Sequence, residues 1–391
     1  MDLSGLESLL VVCLVAAGAP LVALVLPGPR IAQVVILIVG GVLVGPAGLG
    51  VDPSIEIELI SNVGVGFLFL LAGYELDLRL FRERPGRRAL LAWLASAVLA
   101  LLAVSALELV GVVVRDFVPI AIALTTTALG TLLPILRDND MLGGAFGRHM
   151  LAGGAVGELL PIIAIALFLS ARSQYVALLA LLGVAGVAGV LLVLSRGVRG
   201  RALERMVLAG ADTTAQTTLR WTIVLLLGLL VATGELGIDA VLGAFVAGAV
   251  LRRWVGGAAG SLGPKLDAIG YGFFIPVFFV FSGMNLHLAS LLESPGRLVG
   301  FVVLLLFARA LPVYLVHWRA LEHVPRVQLA LFSATTLPLL VALAEIGRRN
   351  GAMTAENAAA LVGAGVLSVL LFPTLAVALQ RRRPSPADTT T

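Results

Sequence analysis

The sequence predicts an all-α polytopic membrane protein of about thirteen transmembrane helices. Three observations carry this. The first is composition: 59% of the 391 residues are apolar, 13% are charged, and the mean hydropathy is +1.05. An ordinary soluble domain carries about 25% charged residues. The second is continuity, because the apolar residues come in unbroken runs of roughly twenty, the length of a helix that crosses a bilayer core. Barrel strands would alternate instead. The third is the distribution of basic residues over the connections. One side, with the C-terminal tail, holds 20 of the 27 Lys and Arg residues, and the other holds Arg115, Arg172, Arg297, Arg348 and Arg349. Basic residues favour the cytoplasm. The expected orientation is therefore N-terminus outside and C-terminus inside, in the plasma membrane.

The runs follow in order at about 5–27, 30–46, 57–76, 87–113, 116–136, 145–170, 174–195, 214–234, 237–253, 263–284, 296–318, 325–347 and 354–380. The first is preceded by Asp2 and Glu7 and by no Lys or Arg. It lacks the basic leader of a secretory signal and reads as a retained helix. The third ends on Glu75 and Asp77. The fifth carries Thr125, Thr126 and Thr127 halfway along. The sixth carries Glu158 and Pro161, the eleventh Arg309 and Pro312, and the twelfth Thr335, Thr336 and Pro338. The longest connection is about 196–213, and a short basic tail, 381–391, follows the last run. A net charge of +4 and a pI near 9.8 do not point to nucleic acid, because the basic residues sit in loops. Cys13 is the single cysteine, which excludes an internal disulfide, an iron–sulfur cluster and a cysteine zinc site.

The chain repeats itself. The third run reads Gly64-Val65-Gly66-Phe67 and then Ala72-Gly73, and the tenth reads Gly270-Tyr271-Gly272-Phe273 and then Ser282-Gly283. The threonine cluster of the fifth run has its counterpart in the twelfth. Both pairs lie seven runs apart, an odd number, so the partners cross the membrane in opposite directions. Inverted repeats of this kind place transporter binding sites near the midplane, between two discontinuous helices. Thr hydroxyls and a proline suit a broken helix, because backbone groups freed at that depth need other partners.

Charges at the bilayer centre are costly and so are functional candidates. Glu158 is the acid that lies mid-span, and Arg309 the base. Pro161 has no N–H, so the carbonyl of Gly157 loses its helical donor and stands beside the Glu158 carboxylate. A hard monovalent cation accepts both oxygens. The carboxyl takes a cation or a proton in turn, which is the minimum chemistry of an exchanger. Arg309 does not deprotonate in a protein, so its expected role is an ion pair with Glu158 or an anchor for the broken helices. The histidines 149, 287, 317 and 323 lie near run ends or in loops and are expected at the surface rather than as ligands, with His149 or His323 placed to tune a pH response.

The stretch Gly64 to Asp77 resembles the "F-L-x-G-L-E-L-D" helix of the monovalent cation:proton antiporter-2 family, which includes Kef-type and NapA-like sodium/proton exchangers. Thr125 to Arg137 resembles that family's discontinuous helix, and Pro276 to Gly283 its "P-x-F-F-x-x-x-G" helix. The resemblance covers about 5–380 and implies an inverted-repeat, NhaA-like antiporter fold with two crossed discontinuous helices. It implies a core bundle over about 87–170 and 296–380, a dimerisation panel over about 5–76 and 214–284, and a linker helix over about 174–195. It implies a homodimer that works by elevator-like alternating access, with Na⁺ or K⁺ and H⁺ as cargo and no cofactor. The family's ion-binding acid falls on Glu158, its buried basic residue on Arg309 and its helix-crossing region on Thr125–Thr127. Thr335 and Thr336 would complete the shell. Gly157-Glu158 stands where the family usually has Asp-Asp or Asn-Asp, so one titratable acid remains and a one-for-one, electroneutral exchange is expected. With the short tail, regulation by a soluble nucleotide-binding domain, which Kef-type members often carry after the last helix, is not expected unless a separate subunit supplies it. Two other readings stay open: a membrane sensor that transports nothing, and a carrier of organic or anionic solutes anchored on Arg309. A membrane enzyme is not expected, because no nucleophile–base pair or metal cluster appears at depth.

Overall fold

The structure is a computed structural model, and it describes residues 3–25, 32–75, 82–109, 116–168, 186, 216–235, 240–255, 259–286, 288–289 and 294–381. The expected linker helix at 174–195 (Gly186 apart), the connection 196–213, Asp77, His287 and the tail after Arg381 lie outside them. The described regular structure is helical throughout. Its helices are α1 (Leu3–Val25), α2 (Gln33–Val44), α3 (Ile55–Glu75), α4 (Arg84–Leu109), α5 (Phe117–Ala123), α6 (Leu129–Asp138), α7 (Gly144–Phe168) and α8 (Thr217–Glu235). They continue with α9 (Ala240–Val255), α10 (Ala259–Ile269), α11 (Ile275–Met284), α12 (Pro295–Leu305), α13 (Leu311–Val316), α14 (His323–Ser333), α15 (Pro338–Arg349) and α16 (Ala355–Arg381).

Among the described residues, nine helical stretches are long and apolar enough to cross a membrane, rather than thirteen. Each of the other four runs has its own reason. The second is a 12-residue helix and the ninth forms the shorter helix α9. The fifth is split into α5 and α6, neither long enough alone, and the seventh is outside the described residues.

Two helices continue through a π turn. Gly270–Phe274 joins α10 to α11, and Leu306–Ala310 joins α12 to α13. Each turn is followed by a proline, Pro276 or Pro312. A proline lacks the N–H and its ring crowds the carbonyl four residues back, so the ladder widens locally rather than clashing. The second π turn carries Arg309.

The chain divides into two compact units. The first comprises 1–25, 36–76 and 162–286. Apolar burial gives helices little mutual attraction in lipid, so close backbone contact takes its place. Gly73 and Gly248 allow it between α3 and α9: a Cβ on Gly73 would stand 2.0 Å from the Phe245 carbonyl oxygen, and one on Gly248 would stand 1.9 Å from that of Leu70. Phe67 stacks on Phe274 at 4.9 Å.

The second unit comprises 26–35, 77–161 and 287–391. Its core gathers Leu132 and Leu136 of α6, Met150 of α7, Val313 of α13, Phe332 of α14 and Ala376 of α16. Helix α16 is bound to its neighbours by polar groups at three levels. Asp116 Oδ2, before α5, accepts the Thr354 N–H (2.7 Å), the Thr354 hydroxyl (2.9 Å) and the Asn357 amide (2.7 Å). Asp116 is 4% exposed and caps α16 from outside that helix. Further along, Ser368 meets Thr336. Near the end, Gln328 of α14 donates to the Ala376 carbonyl (2.9 Å) and to Gln380 Oε1 (3.1 Å).

Candidate functional site

The second unit holds two broken helices. Helix α5 stops at Ala123 and α6 starts at Leu129; helix α14 stops at Ser333 and α15 starts at Pro338. The threonines end the first halves. Thr125 donates its hydroxyl to the Ile122 carbonyl and Thr126 donates to that of Ala123, both at 2.7 Å, and Thr335 donates to the Leu331 carbonyl at 3.1 Å. These bonds satisfy carbonyls that a continuing helix would have used. Pro338 opens α15 at a position where its missing N–H costs nothing.

The two breaks meet. The Ala128 N–H donates to the Thr335 carbonyl at 2.9 Å, and the Thr127 hydroxyl donates to the Ser333 carbonyl at 2.6 Å. The hydroxyls of Thr126 and Thr336 lie 2.6 Å apart. Thr125, Thr126, Thr127, Thr335 and Thr336 are all buried. Extended backbone is tolerated in an apolar interior when its polar groups pair in this way.

Glu158 reaches this crossing from α7. Its Oε1 accepts the N–H groups of Leu129 (2.8 Å) and Gly130 (3.3 Å), the first residues of α6. The residue in the N-cap position, Ala128, has no side chain able to cap. A carboxylate from another helix does so instead, against the positive end of the α6 dipole. The carbonyl that Pro161 was expected to free does not stay without a donor: the Thr127 N–H donates to Gly157 O at 3.0 Å. A carbonyl has two lone pairs, so Gly157 retains one while helping to fix the break.

Arg309 is 1% exposed. Its Nε and Nη2 donate to the Thr127 hydroxyl at 3.1 and 3.0 Å, and Nη2 lies 3.5 Å from the Gly153 carbonyl. The guanidinium therefore fastens the first break to α7. It also explains the glycine before Glu158. A Cβ at Gly157 would stand 2.5 Å from Thr127 Oγ1 and 2.6 Å from Arg309 Nη2. The space a second polar side chain would need is filled by Arg309 and Thr127.

The structure thus brings together the residues expected at the ion site and the helix crossing: Glu158, Gly157, Thr125–Thr127, Arg309, Thr335 and Thr336. Three further groups were not singled out for their roles. Ser368 Oγ accepts the Thr336 N–H. Asp116 reads in sequence as an acid at a helix end. His149 and His317 are buried edge to face at 5.0 Å, rather than at the surface. For Ser368 a signal existed: it stands 210 residues after Glu158, the separation that also joins Thr126 to Thr336.

This arrangement defines a multi-pass helical membrane protein built around two broken helices, with a carboxylate and a guanidinium at their meeting point. The transmembrane sodium/hydrogen exchanger family model matches residues 11–379. The chain is 28% identical over 375 residues to the putative Na⁺/H⁺ antiporter YjbQ of Bacillus subtilis, covering 91% of this chain and 60% of that protein. It is 27% identical over 261 residues to a Na⁺/H⁺ antiporter of Enterococcus hirae, covering 65% of this chain and 67% of the relative. The solved sodium proton antiporter MjNhaP1 of Methanocaldococcus jannaschii superposes with a TM-score of 0.66 at 18% identity, over 97% of this chain and 99% of that one. The chain belongs to the sodium/hydrogen exchanger family. It spans 60% of the length of the Bacillus relative and 38% of Cation/H⁺ antiporter 17 of Arabidopsis thaliana.

Proposed function

We propose that the chain exchanges a monovalent cation, Na⁺ or K⁺, for a proton, one for one, with Glu158 as the group that carries each in turn. The observation that carries this reading is the half-buried Glu158 carboxylate held on the α6 N-terminus, midway along an apolar helix. A carboxylate at such a place needs a compensating charge or a proton. The two α6 amides supply part of it, and in the proposed cycle a cation or a proton adds to it in turn. The lone pair left on Gly157 O and the hydroxyl oxygens of Thr125 and Thr126 offer further ligands of the hard-oxygen type such ions take, and that of Thr127 joins them when Arg309 releases it. Thr335 and Thr336 support the crossing. Arg309 keeps a fixed positive charge beside the break and pairs with Glu158 when the site is empty. With one titratable carboxylate, each cation displaces one proton and no net charge moves.

The relatives' names are those of antiporters, which agrees with this reading. The wider reading follows the family resemblance: a homodimer in the plasma membrane, N-terminus outside and C-terminus inside, working by alternating access. The test is proton flux in proteoliposomes carrying a pH gradient, with pulses of Na⁺, K⁺ or Li⁺. The expected result is cation-dependent dissipation in the wild type and its loss in Glu158→Gln. A well-folded wild type without cation-dependent flux overturns the antiport reading. Flux that changes with a clamped membrane potential overturns the one-for-one stoichiometry.

A further inference from the structure

We propose that Ser368 is a positioning residue of the exchange site: it holds the second broken helix as Glu158 holds the first, and through that hold it sets the affinity for the cation. The affinity part rests on the antiport reading above; the hold itself does not.

Ser368 is fully buried on α16. Its oxygen accepts the Thr336 N–H at 3.1 Å and lies 2.8 Å from the Thr336 carbonyl and 2.7 Å from that of Gly365. A hydroxyl has one hydrogen, so it donates to one of these carbonyls at a time. Thr336 stands in the break, where its backbone has no helical ladder. One small side chain therefore holds both of its backbone polar groups. The Thr336 hydroxyl is engaged as well. In its 2.6 Å pair with Thr126, the Thr126 hydrogen goes to the Ala123 carbonyl, so Thr336 supplies the shared hydrogen. The connection then runs from Ser368 through Thr336 to Thr126. Next in the chain is Thr127, whose amide donates to Gly157 O and whose hydroxyl takes Arg309. Removing the Ser368 hydroxyl leaves a buried N–H without an acceptor and loosens the far end of that chain.

The second observation is positional. Ser368 follows Glu158 at the same 210-residue separation that pairs Thr126 with Thr336. Each residue comes from the helix after its break and accepts backbone N–H groups at that break. The chemistry differs in one respect, because a serine does not titrate. Loading a proton or cation on Glu158 changes its grip on α6, whereas nothing in a transport cycle changes the grip of Ser368 on Thr336. The second break is thus a fixed reference against which the first is held. Without that hold the empty site is loosened at the second break, and the ordering cost falls on cation binding; carried equally by the loaded and rate-limiting states, it raises KM and leaves kcat alone.

The test uses the full chain in proteoliposomes, with Na⁺ and K⁺ titrated at fixed pH. Ser368→Ala is expected to raise the apparent KM about fivefold, the worth of one net hydrogen bond, with the maximal rate within about twofold of the wild type. Ser368→Thr, which keeps the hydroxyl, is expected to return KM to near the wild-type value. An unchanged KM in Ser368→Ala overturns the proposal. So does a fall in maximal rate at unchanged KM that Ser368→Thr fails to repair. Amide hydrogen exchange provides an arm independent of transport. Ser368→Ala should speed exchange at 334–340 and leave 129–132 slow, and Glu158→Ala, which removes the cap on α6, should do the reverse. If Ser368→Ala leaves 334–340 as slow as in the wild type, the hold is refuted whether or not the chain transports. A wild type without cation-dependent flux refutes the antiport reading and the affinity claim, and leaves the exchange result to decide the hold.

Discussion

The two breaks that cross in the second unit share one backbone plan and differ in what holds them. At the first, between α5 and α6, the amides of Leu129 and Gly130 rest on a carboxylate, and the flanking Thr127 is bound by Arg309. At the second, between α14 and α15, the Thr336 amide rests on a serine hydroxyl, and no charged group is bonded to it among the described residues. The difference separates two tasks that a single motif would confuse. Crossing two extended segments in an apolar interior requires hydrogen-bond partners, and neutral groups suffice for that. Carrying a cation or proton requires a group whose charge changes, and one half has it. The Glu158/Ser368 pair shows how differently the two breaks are held chemically.

Substitutions that make the halves more alike, or remove one side of the contrast, test this. The largest effect is expected for Glu158→Gln. The amide side chain still has an oxygen to accept the α6 N–H groups but no charge to titrate. Cation-dependent flux should fall by about two orders of magnitude or more, on the scale of losing a residue that takes part directly in proton transfer. A melting temperature near that of the wild type would show that the cap survives. Retained flux would place the exchange elsewhere.

Next is Gly157→Ala, which attacks the first break sterically. Its methyl group cannot share the space held by Thr127 and Arg309. Overpacking of this kind costs about 1–3 kcal/mol, visible as a lowered melting temperature together with a raised KM. Crowding at Gly365 of α16, where a Cβ would stand 3.0 Å from a Leu337 methyl and from the Thr336 carbonyl, should cost less. Equal effects would mean the halves are equally tight.

Asp116→Asn is a smaller change, away from the crossing itself. All three donors share Oδ2, so all would face a neutral amide instead of a carboxylate, and the loss of charge-assisted bonding is worth about 1–3 kcal/mol. The melt should drop while the pH profile of exchange stays in place. A moved profile would tie Asp116 to proton transfer.

The smallest effect concerns His317, just past α13, whose pKa is held down chiefly by burial, with Arg88 and Arg309 adding to it and its bond to the Val313 carbonyl opposing. Its folded pKa lies below the ordinary value near 6.5. The unfolded chain therefore binds that proton first, and stability is lost as pH falls below about 6.5. His317→Gln should flatten the melting temperature between about pH 7 and 5. If the slope is unchanged, His317 contributes nothing to it, and acid sensitivity belongs to other groups.

How much of this was legible in the sequence varies by residue. Glu158 and Arg309 stand out because a charge in an apolar run is costly and conspicuous. The breaks at Thr125–Thr127 and Thr335–Thr336 show through clustered hydroxyls and, at Pro338, a missing donor. The occupation of Gly157 O by the Thr127 amide was invisible, because Pro161 determines which donor is lost but not which distant one replaces it. The π turns were hidden for a related reason: a proline announces a freed carbonyl, not whether the ladder breaks or widens. Ser368 looks like any serine that bonds its own helix, and it acquires meaning from the repeat. Asp116 was hidden by its place at a run end, where an acid ordinarily meets water.

Helix α16 is fastened at Thr354 and Asn357, at Ser368, and at Ala376 and Gln380, positions spread over roughly 39 Å of its axis at 1.5 Å per residue. These ties reach α5, the second break and α14. Sliding α16 by even one residue would pull every one of them out of hydrogen-bonding range together. The helix acts as a keel: it ties the segment before α5, the second break and α14 to a single rod.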